Sequence, residues 1–211
     1  MFGLRAHRIA AALAGVVITL AAATARADDL PGAYSDHGVS FSYPTAWMHV
    51  PGAFEVQSGS ELWSEFFGPT PAPTQPPATD PTQPQPAAPA TPVALSDVVA
   101  VAAYRTNVSI TKKNLPRFKQ PIQLLVTQLV TRANGKVLSG PVRVTMGGMP
   151  GYRFEATATL TNGTLTESRL VLVFRKKTEY FLNCQHVQNG PLTVEIEGGC
   201  DQLMHSFRVT A

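Results

Sequence analysis

Cysteine is nearly absent: the 211 residues contain two, Cys184 and Cys200, both close to the C-terminal end. No cysteine therefore stands where a bacterial lipoprotein carries its lipid, and no acyl anchor is expected. The first 27 residues also lack a pair of adjacent arginines, which argues against the twin-arginine export route. Beyond them no apolar run is long enough to span a bilayer, so no transmembrane segment is expected once they are removed. Between Asp28 and Tyr104 there is no Lys or Arg at all.

What stands at the start is an export signal. Arg5 and Arg8 precede an uncharged apolar run from Ile9 to Ala25, and Ala25-Arg26-Ala27 supplies the small-x-small pattern read by signal peptidase. Cleavage is expected after Ala27, giving a protein secreted to the extracytoplasmic envelope. Loss of Arg5, Arg8 and Arg26 turns 17 basic and 14 acidic residues into 14 and 14. The basic pI thus belongs to the signal, and nucleic acid is not an implied partner. The remaining charge is split: Asp28 to Tyr104 carries eight acids, whereas the chain from Arg105 onward carries fourteen basic residues and six acids. Complementary halves favour one domain over residues 28–211, although each exposed pair is worth only about 0.2 to 1 kcal/mol.

Residues 69–92 hold ten prolines, five threonines and a single charge, Asp80. Such a stretch buries no apolar area and forms no ladder, so it is expected to stay extended and solvated. Were it a linker, the roughly 40 residues before it would have to fold alone without a staple, at the limit of what a core supports. It reads instead as an insertion between neighbouring strands. A glycosylated or partner-binding arm and a tolerated spacer are both open readings of it.

Val39, Phe41 and Tyr43 alternate with serines, a strand with one buried face that Pro44 ends. Leu62 to Phe67 and Val98 to Tyr104 flank the insertion as strands. Pro121 suits the first turn of a helix whose inward positions are Ile122, Leu125, Leu129 and Ala133, and Asn134-Gly135 stops it. From Val137 the pattern turns to period two: Tyr152, Phe154, Ala156 and Ala158 face one way, Asn162-Gly163 makes a hairpin turn, and Arg175-Lys176-Lys177 is expected to make the next. A short helix ends the chain between Cys200 and Phe207, with Gly198-Gly199 obscuring its start. The class is α+β, an antiparallel sheet flanked by helices.

The run Gly38-Val39-Ser40-Phe41-Ser42-Tyr43-Pro44-Thr45-Ala46-Trp47, the run Tyr180-Phe181-Leu182-Asn183-Cys184, and the closing Cys200 with Ser206-Phe207 carry a resemblance. The chain resembles the actinobacterial exported LpqN-like family, of the proline-rich antigen type, whose fold is PsbP-like. The resemblance implies an antiparallel sheet covered by helices, working in the cell envelope without catalysis. The missing lipid-bearing cysteine departs from the lipoprotein members and places membrane anchoring in doubt.

Cys184 and Cys200 with His186 and His205 have spacings that a zinc site would share, but two cysteines in an oxidising compartment are expected to form a disulfide. No nucleophile elbow, zinc-protease helix, phosphate loop or dinucleotide fingerprint occurs, so no catalytic residue, cofactor or metal is assigned. His37 and His49 have no acid at a suggestive spacing. Glu155 and Glu167 are scattered acids that only convergence in space would pair. Two basic clusters remain: Lys112, Lys113, Arg117 and Lys119 ahead of the helix, and Arg175 to Lys177. The first is the candidate ligand-binding set, at the mouth of an apolar recess expected under Leu124, Val126 and Val130. The expected function is a monomeric, non-catalytic envelope protein that binds an envelope lipid, glycan or protein. A hydrolase with an unrecognised site, or a surface protein acting through its proline-rich arm, is the alternative.

Overall fold

The computed structural model describes residues 32–51, 60–69 and 96–210. The expected export signal and almost all of the proline-rich stretch lie outside the described residues. The elements run in order as strands β1 (Ala33–Asp36), β2 (Val39–Ser42), β3 (Trp47–Pro51), β4 (Glu61–Pro69) and β5 (Val98–Ile110). A 3-10 turn (Leu115–Phe118), helix α1 (Lys119–Arg132) and strands β6 (Gly135–Met146), β7 (Met149–Thr159) and β8 (Leu165–Val187) follow. Helix α2 (Thr193–Ser206) and the short β9 (Arg208–Val209) close the chain. A six-stranded sheet has the order β3-β4-β5-β8-β7-β6 and a three-stranded sheet the order β1-β2-β9. Every pairing is antiparallel. With two helices packed on the sheets, this is the α+β architecture that the hydrophobic periods imply.

Strands β4 and β5 are neighbours, Phe67 opposite Val99 and Glu61 opposite Tyr104, so the residues between Pro69 and Ser96 connect two paired strands.

One apolar cluster fills the space between the large sheet and a cover made of the small sheet and α2. Phe67, Val99, Val101 and Val171 meet Tyr34, Phe41, Ile196 and Leu203 there. Phe41 stacks on Phe207 at 5.8 Å and meets Phe67 edge-on at 5.1 Å, the offset geometries that ring quadrupoles favour. A second cluster lies on the opposite face, where α1 presses Ile122, Val126 and Val130 against Phe154, Leu170 and Leu172. The helix is thus turned about one residue from the sequence expectation, and Leu125 and Leu129 are only half-buried. The apolar recess expected under Leu124, Val126 and Val130 is closed. Val126 and Val130 are 1% and 2% exposed within the core, and Leu124 points to solvent at 58%.

The turn expected at Arg175-Lys176-Lys177 is present: the Gln188 amide donates to Leu165 O at 3.0 Å and Gln188 Nε2 to Glu167 Oε1 at 2.7 Å, so the two halves of β8 fold back beside each other. Leu165 to Val173 pairs with β7, and Thr178 to Gln185 pairs with β5. Lys176 takes a left-handed φ of 56° where the backbone reverses. The apolar half of β5, Val98 to Ala103, needs a partner on its free side, and the returning half of β8 supplies it.

Helix α2 starts earlier than its glycines suggest and runs unbroken through Gly198-Gly199. Gly199 is required by a close approach: a Cβ there would fall inside the indole ring of Trp47. That ring is 5% exposed, and its Nε1 donates to Glu195 Oε1 at 2.9 Å, so the tryptophan locks β3 to the first turns of α2.

Candidate functional site

The basic residues gather at one end of the large sheet. Arg105 pairs with Thr178, but the next pairing is Ile110 with Lys176, so four residues of β5 bulge out opposite Lys177. Such a bulge bends its strand and re-aims side chains. Past it, a tight turn is tied by Asn114, whose Oδ1 accepts from the Thr111 amide at 2.7 Å and whose Nδ2 donates to Ser109 O at 2.9 Å. This turn carries Lys112 and Lys113, the 3-10 turn carries Arg117, and Lys119 opens α1; all four are exposed. Arg143 of β6 donates to Lys112 O at 3.2 Å, adding a fifth cation. The ladder thereby places the 112–119 cluster next to Arg175, Lys176 and Lys177, some 60 residues away in sequence.

Two open grooves meet at this end. The larger, about 620 Å³, lies between the β1–β2 turn, the bulge and β9, and Arg175, Lys176, Lys177, His37, Ser109 and Tyr180 are on its wall. The second, about 410 Å³, shares Arg175, Lys176 and Val209 with the first and runs over the Gly147-Gly148 turn toward Ile110 and Met149. Neither wall contains an acidic residue among the described residues. Lys112, Lys113, Arg117 and Lys119 flank the grooves without lining them.

The acids Glu155 and Glu167 do converge, in a small cleft of about 190 Å³ with Glu197, Arg169, His186 and Cys184. Burial pushes the Glu155 carboxyl up, against the opposing pull of Arg169 and Arg153. Each acid is held: Glu155 Oε1 lies 3.3 Å from Arg153 Nε, Glu167 Oε1 accepts from Gln188 Nε2 at 2.7 Å, and Arg169 Nη1 reaches Asp201 at 2.6 Å. The volume is below the roughly 300 Å³ at which small-molecule sites begin. Cys184 and Cys200 are joined as a disulfide, Cα to Cα 6.0 Å, so the thiolates that a zinc reading needs are taken. His186 sits beside them with Nδ1 3.0 Å from Val187 O, whereas His205 turns outward onto Asp201 O at 2.7 Å. Among the described residues no cluster of His, Cys, Asp and Glu has the geometry to hold a metal ion.

Sequence reasoning missed a third constellation. Glu65, 8% exposed on β4, receives Tyr34 Oη and His37 Nε2 on Oε1, both at 3.3 Å, and His49 Nε2 on Oε2 at 2.9 Å. His37 stacks on Trp63 and His49 on Phe67. Burial, then the charge of Glu65, pushes the Tyr34 hydroxyl far up, so it stays a donor. The cluster is a set of hydrogen bonds among one carboxylate, one hydroxyl and two imidazoles. It staples the small sheet to the large one, and a sequence signal for it existed in the lone acid within Trp63-Ser64-Glu65-Phe66-Phe67, since a buried carboxylate must find partners.

No family model matches the chain, and no curated protein does. Solved structures show the fold. The cyanobacterial PsbP of Synechocystis sp. PCC 6803 superposes with a TM-score of 0.51 at 11% identity, over 88% of this chain and 97% of that one. LpqN of Mycobacterium tuberculosis, described as involved in cell envelope biogenesis, gives 0.48 at 14% identity over 84% and 88%. A protein of Bacteroides thetaiotaomicron gives 0.48 at 10% identity over 85% of this chain, which spans about half of that protein's length at 48%. The chain has the PsbP-like fold.

Proposed function

We propose that this chain is an exported, non-catalytic protein of the cell envelope that binds an anionic envelope component at its basic end, with Lys112, Lys113, Arg117 and Lys119 as the outer contacts. The observation that carries this reading is the meeting of two sequence-distant basic clusters around acid-free grooves. The export signal and the buried disulfide suit an oxidising, extracytoplasmic compartment. The converging carboxylates Glu155 and Glu167 are occupied by arginines and an amide, and their cleft of about 190 Å³ is smaller than a small-molecule site. Residues 28–211 act as one domain in this reading, and the stretch 69–92 interrupts it between paired strands.

The test is sedimentation with vesicles of phosphatidylglycerol against phosphatidylcholine. Replacing Lys112, Lys113, Arg117 and Lys119 by serine should weaken binding to the anionic vesicles by at least about tenfold, since each cation near a charged surface is worth about 1 kcal/mol. All four are exposed, so the melting temperature should stay within about 2 °C. Equal binding by the variant and the parent, or turnover of ester or glycoside substrates by the parent, overturns the reading.

A further inference from the structure

Glu65 draws three segments onto one buried carboxylate. It stands on β4 opposite Val101, and 8% of the residue is exposed. Its partners are Tyr34 of β1, His37 of the β1–β2 turn and His49 of β3. Tyr34 stays a neutral donor, because burial and then the Glu65 charge push its hydroxyl far up. The imidazoles differ in kind, since histidine rings as a class change charge between about pH 5 and 8.

Both rings are seated to gain from a proton. His37 Nε2 lies 3.3 Å from Glu65 Oε1 and His49 Nε2 lies 2.9 Å from Oε2, so a protonated ring at either place pairs with a carboxylate that water barely reaches. The His37 ring also lies parallel to the Trp63 indole, 5.2 Å between centroids and 12° between planes, where a positive ring meets the negative face of the indole. His49 stacks on Phe67 in the same way, at 4.8 Å and 13°. The other charges nearby are Asp36, whose Oδ1 accepts from the His37 amide at 2.6 Å, and Arg175, Lys176 and Lys177, which share the wall of the larger groove with His37. Those cations act across open solvent, which screens them, whereas the Glu65 contact is direct. Tyr180, packed against Trp63, stays neutral because burial pushes its hydroxyl up. One carboxylate compensates one positive ring, so the two imidazoles share a first proton and oppose a second.

The consequence falls on the β1–β2 turn, which His37 ties to Glu65 and Trp63 of the large sheet. With a neutral ring the tie is a long hydrogen bond and a stack; with a charged ring it is an ion pair and a cation–π contact. The same turn, through His37 and Gly38, forms part of the wall of the larger groove. We propose that His37, His49 and Glu65 form an acid-tightened latch, which fixes the β1–β2 turn on the large sheet at mildly acidic pH and loosens it at alkaline pH. The sign follows from linkage: a proton held more tightly in the latched than in the free turn stabilises the latched state while it is bound, and that stabilisation is lost as pH rises. The latch is independent of what the basic end binds.

The experiment follows tryptophan emission of the purified protein from about pH 5 to about pH 8.5, a range that spans imidazole titration. A protonated imidazole stacked on an indole quenches it, so emission should rise with pH. His37→Gln keeps a neutral donor near Glu65 and should remove at least about half of that rise. His49→Gln should move the midpoint of the rise to higher pH, because His37 then no longer shares the carboxylate. Amide hydrogen exchange over residues 33–42, corrected for its intrinsic pH dependence, reports the turn directly. Protection should be at least about threefold greater at the acidic end in the parent and independent of pH in His37→Gln and Glu65→Gln. His37→Asn guards against a folding artefact: asparagine suits the left-handed φ of 52° at this position, so the fold should persist while the pH response disappears. A merely structural hydrogen bond would change protection by the same factor at every pH. An emission rise unchanged by His37→Gln, a midpoint unmoved by His49→Gln, or a pH-dependent protection that the Glu65→Gln variant retains overturns the latch.

Discussion

Replacing Glu179 by glutamine should make the protein more stable at neutral and alkaline pH and leave it nearly unchanged near pH 4. Glu179 lies on β8 opposite Tyr104, is 9% exposed, and has no cation facing it among the causes that act on its carboxyl. Burial alone pushes that carboxyl from an ordinary 4.5 up to about 7. The sign follows from proton counting. Below 4.5 the group is protonated in both the folded and the unfolded chain and costs nothing. Between 4.5 and 7 the unfolded chain releases its proton while the folded chain keeps it, so stability falls as pH rises. Above 7 the folded protein holds a buried carboxylate, and the accumulated penalty reaches about 3 kcal/mol at 1.36 kcal/mol per pH unit of displacement. Glutamine keeps the shape and cannot ionise. Urea unfolding of both proteins from pH 4 to pH 8 therefore should give curves that separate steadily, by about 3 kcal/mol at the upper end. A packing difference alone would shift the variant by the same amount at every pH. A constant gap across the range would refute the assignment of a raised carboxyl to Glu179.

Gly199→Ala should destabilise the protein by about 1 to 3 kcal/mol, because its methyl group would enter the Trp47 ring; thermal unfolding should show that adding Trp47→Leu costs less in this background than in the parent. Glu65→Ala should cost about 2 to 3 kcal/mol by leaving Tyr34, His37 and His49 without their shared acceptor. A double-mutant cycle with His49→Ala should then show coupling above about 1 kcal/mol, and additive losses would mean that the staple is not a unit.

Much of the architecture was legible because period-two and helical patterns report local geometry directly. Val39 and Phe41 alternate and form β2, the Tyr152 to Ala158 alternation forms β7, and Pro121 with Asn134-Gly135 brackets α1 to within two residues. The disulfide was legible too, since two cysteines in a chain read as exported have one pairing open to them. The rotation of α1 was not, because Ile122 to Ala133 offers two overlapping apolar stripes and only the sheet beneath decides which one is buried.

The sequence by itself determined the elements, their class and the uneven division of charge, all of which follow from nearest-neighbour chemistry along the chain. Tertiary structure alone decided which distant residues meet. The hairpin from Leu165 to His186 was legible in its alternation, but only the pairing of its returning half with β5 brought Arg175 to Lys177 beside Lys112 and Lys113. Glu65, His37 and His49 meet for the same reason. Strand register, which depends on what packs against each face and not on spacing in the sequence, carries their side chains to one point.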